Sequence, residues 1–309
     1  MNAKRSNPSL VELVDFQWKS APMAIWVPPS RHAQVFTRLM KYWAEAAEGC
    51  AEDDPFGIWL ASASEGARAY EPLREFPALF REFAELRSEA DFLAFAHKYG
   101  ALRDVANGPR SSLALWLYES QTMRAAVRLF ESLETGNVEE VLSETVWTDE
   151  TYGTNEERFL FPELRREIEG ADRFDDDSPF QAFQDADYGG QAALPVTSSA
   201  RHIAQTALAL GIKTALLQHG VTPSVVPDGS PFRSGLRLSF NVPDLAGAMW
   251  LQLALAVDGN RKYQKCEVCE TWQDVTDWRE DRVVCSDKCR AAKSYRLRKG
   301  AAATKGGAR

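Results

Sequence analysis

Four of the five cysteines in this 309-residue chain fall together, as Cys266-x2-Cys269-x15-Cys285-x3-Cys289. No other feature limits the fold so tightly. Two pairs of sulfurs about 15–20 residues apart match the spacing of a structural metal site, because each short turn presents two thiolates to one side of an ion. Zinc prefers four thiolate or imidazole ligands in a tetrahedron, and four sulfurs close its coordination shell. The expected metal is therefore one structural Zn2+, with no open position for a catalytic water. Four thiolates also suit iron, as in an iron–sulfur site, and four reduced surface thiols are the third reading. The spacing places Cys285 at a strand end and Cys289 in the first turn of a helix. Trp272 and Trp278, between the pairs, are expected to pack over the knuckle as a miniature core. Cys50 stands apart and reads as a small core residue.

The segment after Cys285 continues the argument. Ser286 or Asp287 can cap a helix that carries Lys288, Arg290, Lys293, Arg296, Arg298 and Lys299 and has little apolar face. Such a helix gains little from packing and much from phosphates. These six residues are the expected nucleic-acid contacts, with DNA the first partner and RNA the second. Charge partition agrees. The whole chain is acidic, 36 Lys+Arg against 44 Asp+Glu, net −8. Residues 259–309 nevertheless hold 13 basic and 7 acidic residues, net +6, which leaves −14 for residues 1–258. An acidic body excludes non-specific coating of nucleic acid by the whole molecule and confines contact to the basic end. Two other readings fit the same charges: a basic tail that is solvated or docked on its own acidic body, and a protein-interaction adaptor whose finger binds an acidic protein.

The Cys266–Cys269 knuckle, the Val284-Cys285-Ser286-Asp287-Lys288-Cys289-Arg290 segment and the basic helix resemble the C-terminal treble-clef-like zinc module of bacterial CGNR-type zinc-finger proteins. The likeness covers residues 261–300. It departs where Cys289-Arg290-Ala291-Ala292 stands in place of Cys-Gly-Asn-Arg. Upstream, residues 70–80, 95–100 and 248–252 resemble uncharacterised bacterial proteins that end in the same kind of finger. The resemblance implies a transcription-regulator-like DNA-binding protein with a helical ligand-sensing domain in front of the finger.

Hydrophobic residues make up 45% of the chain, enough for a sizeable core in the remaining 258 residues. Helical spacing of apolar residues predicts helices over 30–50, over 111–135 and from 198 or 199 to about 218. Phe76, Leu79, Phe80 and Phe83 share a face of another. A capping box at Ser88–Asp91 opens a helix that Gly100 stops. Asp244 caps a further helix over 245–257. Residues 236–242 alternate apolar and polar, as a half-buried strand does. The acid-rich stretch 136–197 reads as a surface excursion with one short helix over 156–170. The fold expected is mainly α (α+β). A helical domain spans 1–258 with an acidic surface loop near 170–190, a zinc-finger module with its basic helix spans 259–300, and 301–309 form a disordered tail. The helical domain is expected to take a small-molecule ligand or a partner.

No signal-peptide run opens the chain, and its most apolar stretch is shorter than the roughly 20 residues of a membrane span, so a cytoplasmic protein without membrane contact is expected. His32, His97, His202 and His219 are scattered and form no ligand pattern, so each is expected on a helix surface or at a cap. No phosphate loop or nucleophile elbow occurs, and no enzyme activity is expected.

Overall fold

The computed structural model describes residues 16–21, 24–27, 59–61, 66–103, 110–137, 145–152, 157–164, 194–195, 199–227, 236–276 and 282–306. The helix expected over 30–50, Cys50, Trp278 and the acidic loop near 170–190 lie outside them. In chain order the elements are β1 (Trp18–Lys19), β2 (Ile25–Val27), β3 (Trp59–Ala61), β4 (Ala69–Tyr70), α1 (Pro72–Glu75), α2 (Leu79–Ala84), α3 (Glu89–Tyr99), β5 (Arg110–Ser112) and α4 (Leu113–Thr135). There follow β6 (Thr145–Tyr152), β7 (Glu157–Leu164), β8 (Leu194–Pro195), α5 (Ala200–Gln218), β9 (Thr222–Pro227), β10 (Leu236–Asn241) and α6 (Leu245–Asp258). The C-terminal part holds β11 (Tyr263–Lys265), β12 (Trp272–Asp274) and α7 (Asp287–Gly306). The architecture is mainly α with small sheets of two or three strands, an α+β fold.

The helices form where local chemistry directs them. Ser88 accepts the Asp91 N–H, and the Asp91 carboxylate accepts the Ser88 N–H, so both free donors at the start of α3 are satisfied. Gly100 ends α3 at φ +98°, and a Cβ there would lie 2.1 Å from the Lys19 carbonyl of β1, so only glycine fits. Phe92, Phe95, Ala96 and Tyr99 form the buried face of α3. The Trp116 ring of α4 meets Phe83, Phe92 and Phe95 at centroid distances of 6.0, 5.8 and 6.1 Å. At the centre lies α6, apolar all round apart from Gln252 and enclosed by α1, α2, α4 and α5. The stretch Ala204–Leu217 is one unbroken part of α5.

One buried polar residue of α6 stands in for a missing cap. Ala78 precedes α2 and has no side-chain acceptor. Gln252 Oε1 accepts the Phe80 N–H at 3.3 Å instead, and Gln252 Nε2 donates to the carbonyls of Pro72 (3.2 Å) and Phe76 (2.8 Å). Leucine at 252 would keep the volume and strand the Phe80 donor. Gln252→Leu is expected to cost about 1–3 kcal/mol, read as a lower urea midpoint at an unchanged slope.

Two expectations are corrected. Residues 157–164 form strand β7 rather than the helix expected over 156–170. It pairs antiparallel with β6 along its whole length, Thr145 opposite Leu164 and Tyr152 opposite Glu157. Pro162 removes a helix donor, and a partner strand rich in β-branched and aromatic residues offers a ladder that local spacing does not reveal. Second, α7 continues to Gly306, into the expected disordered tail. Ala301-Ala302-Ala303 has the highest helix propensity of any side chain and carries the helix forward. Among the described residues no helix is long and apolar enough to cross a membrane.

Candidate metal centre

The four cysteines converge. Their Sγ atoms all lie within 4.8 Å of one another, with Cys269–Cys285 at 3.6 Å and Cys285–Cys289 at 3.5 Å. Backbone bonds build the cage. Antiparallel β11 and β12 bring Lys265 opposite Trp272, and Cys266 N–H donates to Thr271 O at 3.0 Å. Glu270 takes φ +57° so that the knuckle can turn back, its N–H reaching Cys266 O at 2.9 Å. The second pair is tied to the first by Glu267 N–H to Val283 O (3.2 Å) and Cys285 N–H to Cys266 Sγ (3.5 Å). Ser286 caps α7 by accepting the Cys289 N–H at 3.3 Å. Cys289 thus sits in the first helical turn as expected. Cys285 ends an irregular segment rather than a strand.

The sulfur environments differ. Burial pushes the Cys266 thiol up, but the amides of Cys269, Cys285 and Val268 directed at it outweigh this and hold it at about 6. Burial pushes Cys285 up to about 12. Four thiols this close share protons, so one ionises readily at the expense of its neighbours. A metal cation resolves that conflict by favouring all four thiolates. The chemistry and spacing of the donors therefore fit a metal ion.

The module is docked on the helical body. Arg81 of α2, itself buried, ion-pairs with Glu131 and stacks 4.9 Å from the ring centroids of both Tyr263 and Trp272. Tyr263 meets Phe80 edge-on at 5.3 Å, and Lys265 pairs with Glu85 at 2.6 Å. Trp272 serves this joint, where the sequence suggested a lid over the knuckle.

The basic residues share one helix but not one environment. Lys288, Arg290, Arg296 and Arg298 are exposed, and Lys299 lies on the same helix. Arg290 pairs with Asp287 one turn back at 3.0 Å. Lys293 is half-buried and pairs with Glu267 of the knuckle at 2.5 Å. Among the described residues no ion-pair partner faces Lys288, Arg296 or Arg298.

No protein-family model, curated protein or solved structure matches this chain.

A second polar cluster escaped the sequence reading. His219, expected on a helix surface or at a cap, is the C-cap of α5 and is wholly enclosed rather than at a surface. Its Nδ1 lies 3.1 Å from Asp244 Oδ2 and its Nε2 3.0 Å from Glu119 Oε1. A neutral imidazole has only one N–H and would turn a lone pair toward one carboxylate, so the ring is an imidazolium donating to both. Trp250 Nε1–H donates to Glu119 Oε2 at 3.3 Å, and Arg103 approaches Glu119 at 3.9 Å. Asp244 Oδ1 meanwhile accepts the Gly247 N–H at 2.6 Å to cap α6. A Cβ at Gly247 would lie 2.8 Å from Val221 Cγ2 and 3.1 Å from His219 Cβ, so this junction too needs glycine. His219, Glu119 and Trp250 join α4, α5 and α6 out of reach of solvent, with Arg103 at the exposed edge, which suits a structural clamp.

Proposed function

We propose that this chain is a zinc-finger protein of the transcription-regulator type, in which one structural Zn2+ on Cys266, Cys269, Cys285 and Cys289 fixes a basic helix for nucleic-acid binding. The observation that carries the reading is the direct fusion of the four-sulfur cage to α7: Cys289, the last ligand, is also in the first turn of the basic helix. A tetrahedral zinc with Zn–S bonds of about 2.3 Å sets neighbouring sulfurs about 3.8 Å apart, and the Sγ separations of 3.5 and 3.6 Å suit it. The resemblance to CGNR-type fingers supports the same assignment. The helical body serves as the part that takes a small ligand or a partner, and no catalytic step is assigned to it.

The test is binding of the zinc-loaded full chain to a labelled DNA duplex, followed by fluorescence anisotropy. Three or four phosphate contacts predict a loss of affinity of about 40- to 150-fold between 50 and 200 mM salt. Replacing Lys288, Arg296 and Arg298 together with Ala abolishes binding at the lower salt. Absence of any DNA or RNA binding there sinks the reading. The pairing of Lys293 with a glutamate keeps the adaptor alternative in view, and displacement of DNA by poly-glutamate at matched charge would favour an acidic protein as partner.

A further inference from the structure

A single helical face cannot present every cation of α7 at once, and the structure divides them. Lys293 faces the knuckle and pairs with Glu267, which lies between the ligands Cys266 and Cys269. That contact spans 26 residues of sequence and joins the helix to the metal cage. On the opposite side, Lys288, Ala291, Tyr295 and Arg298 follow at i, i+3, i+7 and i+10, the spacing of one stripe. All four are exposed, and Tyr295, 63% exposed, sets an amphipathic ring between the two cations, a side chain enriched at interfaces. From Ser294 to Arg298 every residue is exposed, so this part of the helix stands clear of the rest of the described protein.

We propose that the stripe Lys288–Ala291–Tyr295–Arg298 is the surface that enters the major groove of duplex DNA, and that Lys293 is a positioning residue that sets the helix's angle through Glu267. The proposal rests on the nucleic-acid reading above and deepens it. A helix exposed along this stripe, and on every side from Ser294 to Arg298, fits the roughly 12 Å wide groove of B-form DNA, whereas the deep, narrow groove of A-form RNA excludes it. Single-strand binders use several aromatic platforms, and α7 has one aromatic residue, Tyr295. Ala291 between the cations lets the backbone approach the base edges.

The two roles have opposite signatures in the zinc-loaded full chain bound to a random-sequence duplex. If Lys293 only positions the helix, Glu267→Gln weakens binding; if Lys293 contacts phosphate, the same change releases it and tightens binding. Lys293→Ala leaves the slope of log affinity against log salt unchanged, while Arg298→Ala lowers it by about 1. The exchange Glu267→Lys with Lys293→Glu restores the affinity that Lys293→Glu alone loses. Tyr295→Ala weakens binding about 10-fold or more, as expected for a stacked or groove-contacting aromatic residue. Leu297→Ala, off the stripe, changes binding less than about 2-fold. Tighter binding by Glu267→Gln, or failure of the exchange to rescue, overturns the positioning role. An equal loss at Leu297 and Tyr295, or equal preference for single strands, overturns the stripe. If the wild-type chain binds no nucleic acid, the function proposed above fails and the stripe with it. The positioning role is then decided by melting of the zinc-loaded module, which each single change lowers and the exchange restores if the strut exists.

Discussion

Removing the metal, or replacing Cys266 with Ser, is expected to unfold the C-terminal module while the helical body stays folded. The reason is the size of the module's own core. Among its described residues only Cys266 and Val284 are buried, and its two strands have three residues each. Such a segment cannot offset the conformational entropy of ordering its backbone, roughly 1–2 kcal/mol per residue. Structural zinc in small fingers supplies about 10–16 kcal/mol, and that binding energy is folding energy. Cys266→Ser should be the most damaging of the four substitutions, because its sulfur is buried and also accepts the Cys285 N–H. Hydrogen exchange checks this: after chelation the amides of β11, β12 and the first turns of α7 lose protection, and those of α3, α4 and α6 keep it. Readded zinc restores protection. Retained protection in a metal-free chain would show that the module folds by packing alone.

Replacing His219 with Leu is expected to destabilise the body by about 3–5 kcal/mol, the usual cost of leaving buried charges without their partner. Glu119 and Asp244 would then face each other across an apolar side chain. The pH dependence has a definite sign. Burial alone would lower the His219 pKa, but the charge of Glu119 and the hydrogen bond to Asp244 outweigh it and raise it from 6.5 to about 10. A raised pKa means the contribution is complete below 6.5 and disappears as pH rises through 10. Burial pushes Glu119 up, and His219, Arg103 and the Trp250 N–H outweigh it to leave it below its ordinary 4.5. Its contribution is present above 4.5 and fades as pH falls. Urea midpoints should therefore be flat between about pH 5 and 6.5 and decline from 6.5 toward 10. His219→Leu removes the alkaline decline. Wild-type midpoints independent of pH across that range would contradict a charged His219.

Signals carried by neighbouring residues were legible in the sequence. The capping box at Ser88, the stop at Gly100 and Asp244 ahead of α6 act within a few residues, the four-cysteine pattern within 24, and the structure shows each of them. What depended on partners outside the segment being read was not. Strand β7 looked helical because its own apolar spacing does not show that it pairs with β6, which ends only five residues upstream, and the Gln252 cap acts across 172 residues of sequence. The buried charge cluster left one trace. Glu119 falls on the apolar stripe of Trp116, Met123 and Val127, where a carboxylate has no business unless a cation meets it. That cation, His219, lies 100 residues further along the chain, so nothing near Glu119 marks it. Division of the α7 cations was equally hidden, because it depends on Glu267 folding back beside Lys293.

The proposed function depends on the four cysteines holding a metal that fixes α7. Metal analysis of the purified protein, with thiol titration of the same sample, decides this. About one equivalent of zinc per chain is expected, with the four clustered thiols unreactive until the metal is chelated or the chain denatured. Four freely reactive thiols in a folded, metal-free protein whose α7 remains helical would contradict it.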